Sequence, residues 1–269
     1  MSETAQPLVY VILGASGSGR REVLADFVND AMDDDERSLV LLADTEAPDE
    51  RDAKLGELFR WSWRETGGGP EGRDGSIATT DEMSARVAAA THVFFVTDGR
   101  RNPVEQVEAL KPWLVEVGGE LARILCVVNC QLAEAHRELG AWYEACIHFS
   151  DVVLLTKREG VANKWMSDFQ ERFKKLYYPC VFEFVKNGRV KNPALVLVPE
   201  ARRMSHHFDG PEWETVDGED IETGVESDEG EVEPDSEDVE IVEKVDPYFE
   251  RRAGGQRVKV IPDIRKFIE

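Results

Sequence analysis

The chain has 269 residues, 42% of them hydrophobic and 32% charged, and a formal net charge of −22. That length and apolar share support one α/β domain with extensions, and the acidity sets the chain against nucleic acid as a partner. No run approaches the roughly 20 apolar residues of a membrane helix, so no membrane partner is expected, and four cysteines in this length do not make a disulfide framework.

Leu8–Leu13 is apolar without alternation and reads as a strand buried on both faces. It is too short for a signal peptide, and a cytoplasmic location is expected. Three glycines follow, Gly14, Gly17 and Gly19, and a helix is expected over Glu22 to Met32. A strand, a glycine-rich turn and a helix N-terminus form a phosphate cradle, because backbone N–H groups and the helix dipole face an anion there. Leu39–Ala43 reads as a second strand. Asp44 to Thr66 is charged, with Leu55, Leu58, Phe59 and Trp61 as anchors, and Gly67–Pro70 marks a loop.

A helix over Ser84–Ala90 and a strand over Val93–Val96 come next. The apolar period of Val104, Val107, Leu110, Leu114 and Val117 predicts a helix that Pro112 kinks or restarts. Ile124–Val128 reads as a strand and Leu132 to Cys146 as a helix. Val152–Leu155, a helix bearing Trp165, Phe169, Phe173 and Leu176, and the strand Val181–Val185 complete the pattern. Apolar strands alternating with amphipathic helices imply an α/β, doubly wound, mostly parallel sheet with helices on both faces. Ligands bind such sheets at the carboxyl ends of the strands. The tips Gly14–Glu22, Asp44–Pro48, Thr97–Asn102, Asn129–Gln131 and Thr156–Glu159 are therefore expected around one cleft.

The acidity is localised: Asp209 to Glu243 holds seventeen acidic residues and no Lys or Arg. This tract is expected to be disordered, because it has too little apolar surface to offset ordering entropy. Three segments follow: a nucleotide-binding domain over 1–205, an acidic linker over 206–244 and a short docking segment over 245–269, placed on the domain or on a partner. Cys126, Cys130 and Cys146 read as small buried hydrophobes and His136 as a core residue. His206 and His207 read as an exposed pair, and Trp61 and Trp63 as structural anchors.

In motif order, residues 8–200 resemble the CobW/HypB/UreG group of P-loop GTPases, closest to the CobW-type metallochaperones. The loop Gly14-Ala-Ser16-Gly17-Ser18-Gly19-Arg20-Arg21-Glu22 resembles the family's G-x-x-G-x-G-K-[ST]-T. Gly75-Ser76-Ile77-Ala78-Thr79-Thr80 stands at its G-C-x-C-C-T metal motif. Val96-Thr97-Asp98-Gly99-Arg100-Arg101-Asn102-Pro103 is similar to E-T-T-G-x-x-x-P, and the segment from Ser150 to Glu159 is similar to A-D-x-x-x-L-N-K-x-D. The resemblance implies a P-loop NTPase fold, with phosphate bound at Gly14, Ser16, Gly17, Ser18, Gly19, Arg20, Arg21 and Glu22. It implies base reading at Thr156, Lys157 and Glu159, and GTP or another nucleotide as ligand.

The departures bear on chemistry. Arginines replace the phosphate-binding Lys and the Mg²⁺-ligating hydroxyl, and Val96 replaces the acidic residue, with Asp98 as its candidate substitute. The three metal cysteines are Ser76, Ala78 and Thr79, a set unsuited to zinc, so no metal site is assigned and Mg²⁺ is not expected to matter. The expectation is a degenerate GTPase that binds nucleotide or phosphate weakly and acts through a protein partner. The alternatives are an active NTPase or metallochaperone using the arginines, and an interaction protein with a vestigial pocket. Arg20 and Arg21 are further expected to stand unneutralised, so that the acidic tract competes with phosphate for them.

Overall fold

The structure, a computed structural model, describes residues 6–33, 35–65, 75–209 and 245–268. The acidic tract, apart from Asp209, and the Gly67–Pro70 loop lie outside the described residues.

Eight strands form one sheet. They are β1 (Leu8–Gly14), β2 (Ser38–Ala43), β3 (Glu57–Glu65), β4 (Gly75–Ala78), β5 (His92–Val96), β6 (Glu120–Asn129), β7 (Val152–Thr156) and β8 (Val181–Phe184). Their order is β4-β3-β2-β5-β1-β6-β7-β8, parallel throughout except for β4, which pairs antiparallel with β3. Helices pack on both faces. One side carries α1 (Arg20–Asp30) and the short α7 (Pro193–Val196). The other carries α2 (Asp81–Ala89), α3 (Pro103–Val117), α4 (Cys130–Ala135), α5 (Gly140–His148) and α6 (Asn163–Lys175). This is a doubly wound, mostly parallel α/β arrangement.

The strand alternation explains the two cores. Val9, Val11 and Leu13 point to the α3/α5 side and Tyr10 and Ile12 to the α1 side, and all five are buried. Both sides are apolar because both are covered, as a parallel sheet requires. Phe27 of α1 stacks near Phe94 of β5, while Trp61, Phe95 and Trp113 form an aromatic run across the other face.

The structure adds to or corrects the sequence reading at three places. Helix α3 is continuous from Pro103 to Val117, so Pro112 does not restart it. The single helix expected from Leu132 to Cys146 is broken into α4, the 3-10 turn Arg137–Leu139 and α5. The charged stretch Asp44 to Thr66 contains a 3-10 helix, Glu50–Lys54, and the strand β3. That strand escapes an apolar reading because Arg60 and Arg64 stand on it beside Trp61 and Trp63.

Residues 245–268 lie against the α3/α5 side. Asp246 Oδ2 is 2.8 Å from His148 Nε2, and the His148 carbonyl accepts from the backbone N–H of Met204 and Ser205. Tyr248 and Phe249 pack on Phe149, Glu108 of α3 pairs with Arg251 and Arg257, and Phe267 lies on His136. Tyr248 and Ile264 are buried in the main core. His136 is therefore half-buried beneath this segment rather than within the core. His206 is exposed, but His207 turns inward onto Phe208 and Phe249, against the expectation of an exposed pair. Burial and the nearby Lys111 charge bring the His207 pKa down to about 4.

Candidate functional site

The turn after β1 sits at the carboxyl end of the sheet, beside the ends of β5 and β7. Gly19 caps α1 with φ of 93°, a left-handed conformation that glycine adopts without strain. The Ser18 backbone N–H returns to the Ala15 carbonyl at 3.1 Å, and the Ser16 N–H reaches the Gly99 carbonyl at 3.1 Å. The approach of Gly99 is close: a Cβ there would stand 2.2 Å from Ser16 N and 2.6 Å from Arg20 Nη2. The Ser18 hydroxyl is buried and has no partner among the described residues.

Three of the predicted tips, Gly14–Glu22, Asp44–Pro48 and Thr156–Glu159, line two adjacent cavities here, and the other two touch them through hydrogen bonds. Gly17, Gly19, Arg20, Arg21, Glu22, Leu42, Glu46, Arg51 and Val96 line a tight cavity of about 30 Å³ at the first turn of α1. A wider neighbour of about 240 Å³ shares Gly19 and Glu22 with it and adds Thr156, Lys157, Glu159, Val185, Asn187 and Gly188. The Thr97 carbonyl accepts from Arg20 and the Gly99 carbonyl from the Ser16 N–H, and Gln131 donates to the Glu159 carbonyl at 2.6 Å.

The charges are the main departure from the sequence reading. Arg20 is buried. Its Nη1 donates to the Thr97 carbonyl at 2.5 Å, and its Nη2 pairs with Glu46 Oε1. Arg21 reaches the other Glu46 oxygen at 3.3 Å, Asp52 Oδ1 at 2.6 Å and the Ala47 carbonyl at 2.8 Å. Arg60 of β3 then holds Asp52 Oδ2 at 3.0 Å and donates to the Glu46 carbonyl. Beside them Arg51 bridges Glu22 and Asp49, each at 2.5 Å. Its hydrogen bonds hold the Asp49 carboxyl well below the usual carboxylate range. Four arginines thus face four carboxylates, and the expected unneutralised pair Arg20 and Arg21 is not what the fold presents.

The 3-10 helix Glu50–Lys54 makes this network possible. Asp49 accepts from the Arg51 N–H at 2.9 Å, and Asp52 accepts from the Asp49 N–H at 3.2 Å, a reciprocal cap. That cap aims Asp52 at Arg21 and Arg60. Sequence reasoning placed Glu46 at the cleft but missed Asp52, Arg60 and Arg51. The Asp49/Asp52 spacing was the available signal.

Two further expectations change. Asp98 does not substitute for the acidic residue in the cavity. Its carboxylate accepts from the Arg100 N–H at 2.9 Å and pairs with Arg101 at 3.4 Å, serving its own turn, while Val96 lines the cavity. Thr156 reaches toward Ser18 rather than outward. Its single hydroxyl proton is shared between the Ser18 carbonyl at 2.6 Å and the Val128 carbonyl at 2.9 Å, so it ties the loop to the sheet. Lys157 has a left-handed φ of 47° and Glu159 is exposed, both on the rim of the wider cavity.

Ser76 and Ala78 lie in β4, Thr79 donates to Glu116 at 2.9 Å, and Thr80 caps α2. Among the described residues no cluster of three His, Cys, Asp or Glu side chains is placed to hold a metal ion, and no helix is long and apolar enough to cross a membrane.

No family model matches the chain, and no curated protein matches it. Several solved structures are similar to it. The Zn(II)-bound YjiA GTPase from E. coli shares 14% identity over 74% of this chain and 67% of its own, with a TM-score of 0.40. The signal recognition particle receptor FtsY from Elizabethkingia anophelis, in complex with GDP, shares 13% over 75% and 66%, with a TM-score of 0.47. HypB from Helicobacter pylori, in complex with nickel, shares 15% over 69% and 80%, with a TM-score of 0.44. The matched region thus spans about two thirds of the YjiA and FtsY chains.

Proposed function

We propose that this chain is a degenerate GTPase-like P-loop protein, cytoplasmic, that binds nucleotide or phosphate weakly and acts through a protein partner rather than by turnover. The observation that carries this reading is the engagement of Arg20. It stands where the resembled family has its phosphate-binding lysine, and it is already spent on Glu46 and the Thr97 carbonyl. Phosphoryl transfer consists mainly of positioning and charge stabilisation, and a side chain locked in an internal ion pair supplies neither.

The backbone loop fits a phosphate, since Gly14, Gly17 and Gly19 lead into the first turn of α1. The same surroundings do not fit Mg²⁺. Arg21 replaces the hydroxyl ligand, Val96 replaces the carboxylate, and a guanidinium beside a dication is repulsive.

The test is a titration of the full chain with GTP and ATP, with and without Mg²⁺, together with a turnover assay. Weak binding insensitive to Mg²⁺ and negligible hydrolysis are expected. Turnover near about 1 s⁻¹, the low end of ordinary catalysis, would establish an active NTPase instead. Absence of any nucleotide or phosphate binding would favour an interaction protein with a vestigial pocket.

A further inference from the structure

Glu46 lines the same tight cavity as Gly17 and Gly19, and its carboxylate is held by the two arginines that follow the glycine loop. An anion held between two guanidiniums accepts hydrogen bonds on more than one oxygen. Here the Glu46 carboxylate does the same: Arg20 holds Oε1 and Arg21 holds Oε2. The carboxylate is itself buried, and it is carried there by a folded segment. The Glu46 N–H turns back to the Ala43 carbonyl at 3.1 Å, Arg60 grips the Glu46 carbonyl, and the reciprocal Asp49/Asp52 cap fixes the other end. Leu55 is fully buried and anchors the segment behind this cap.

We infer that residues 44–54 form a built-in plug, in which Glu46 takes the place of the anion and holds the cradle closed to phosphorylated ligands until it is withdrawn. This rests on reading the Gly14–Glu22 loop as a phosphate cradle, and it adds how access to that cradle is regulated. Two consequences follow. Phosphate must compete with a carboxylate tethered at its own site, so its apparent affinity is lowered by the fraction of molecules in which the plug is shut. The arginines are not lost to binding; they are reserved. With the plug withdrawn they offer planar, bidentate donors suited to phosphate.

The wider cavity beside Thr156 and Glu159 does not share the plug. Among the lining residues it has in common with the tight cavity, only Glu22 is charged, and Glu22 is paired with Arg51. The plug therefore acts on the phosphate end of a ligand and leaves the other end open.

The experiment is calorimetric titration of inorganic phosphate and of GTP into the full chain, as wild type, Glu46→Gln, Asp52→Asn and the double variant Arg20→Gln/Glu46→Gln. Glu46→Gln is expected to bind phosphate at least about tenfold more tightly than wild type, about 1.4 kcal/mol. Asp52→Asn loosens the plug from its far side and should show a smaller gain in the same direction, with native folding checked by circular dichroism. The double variant should lose the gain, because the reserved cation is gone.

Equal phosphate affinity in wild type, Glu46→Gln and Asp52→Asn would overturn the plug. So would a gain that survives loss of Arg20. Failure of the underlying functional reading has a separate signature, namely Mg²⁺-dependent GTP turnover by the wild-type chain.

Discussion

Replacing Glu46 with alanine should be costly in a specific and recoverable way. Among the described residues Glu46 is the only carboxylate on Arg20, and the Arg20 and Glu46 side chains are 4% and 6% exposed. Arginine does not shed its proton in a protein, so the variant leaves a buried cation held by the Thr97 carbonyl and no carboxylate among the described residues. Breaking one side of a buried pair costs about 3–5 kcal/mol. In a domain of this size each kcal/mol moves the melting temperature by roughly 2–4 °C, so a fall of about 6–20 °C is expected. A ligand that binds the folded state alone restores about 2.7 kcal/mol at a hundred times its dissociation constant, and under the proposed reading phosphate is such a ligand. The assay is thermal unfolding of the Glu46→Ala protein in rising phosphate, with chloride at matched ionic strength as control. A melting temperature equal to wild type, or a recovery that chloride reproduces, would refute the reasoning.

Two other outcomes are expected. His207 has a pKa depressed to about 4 in the folded chain against 6.5 for the free side chain, so the unfolded state binds the extra proton between these values. Stability should be intact above about pH 6.5 and fall as pH drops from there toward about 4. A His207→Phe variant should lack that slope in urea unfolding at stepped pH, and an unchanged slope would assign it to other groups. The second concerns the acidic tract. Because Arg20 and Arg21 are already paired inside the fold, excising residues 210–244 should leave phosphate affinity unchanged at low salt, contrary to the competition expected from the sequence. Excision is the right cut, since truncation after Ser205 would also remove Tyr248 and Ile264 from the core. Tighter binding after excision would restore the tract as a competitor.

The parts of this molecule legible in its sequence are those that local pattern decides. The apolar run before Gly14, the glycine spacing and the helix after Gly19 follow from burial on two faces and from backbone conformation, and β1 and α1 fall within two residues of the expected ends. Three of the five expected loop tips line the two cavities, as ligand sites at the carboxyl ends of a parallel sheet require. What pattern cannot reveal is pairing between residues remote in the chain. Arg20 and Glu46 are 26 positions apart and Arg21 and Asp52 are 31 apart, and nothing in the residue types says that these arginines face carboxylates rather than solvent. Strand β3 escaped for a related reason. It is only partly buried, so Arg60 and Arg64 alternate with aromatics, and its charge pattern resembles a loop. Thr156 shows the limit of carrying a role over by position, because its hydroxyl faces the Ser18 carbonyl rather than the cavity mouth.

The segment 245–268 also has a consequence in time. Its partners are made long before it is. Asp246 follows His148 by 98 residues, and Arg251 and Arg257 follow Glu108 by 143 and 149. At roughly 5–20 residues per second of synthesis, the α3/α5 face waits about 5–30 s for its cover, with the Phe149 ring uncovered by Tyr248 and Phe249 for about 5–20 s of it. Contacts of such long sequence separation also form slowly once the chain is complete. The newborn protein therefore passes through a period in which the cradle and its plug can already be assembled while the opposite face still offers apolar surface to whatever meets it first.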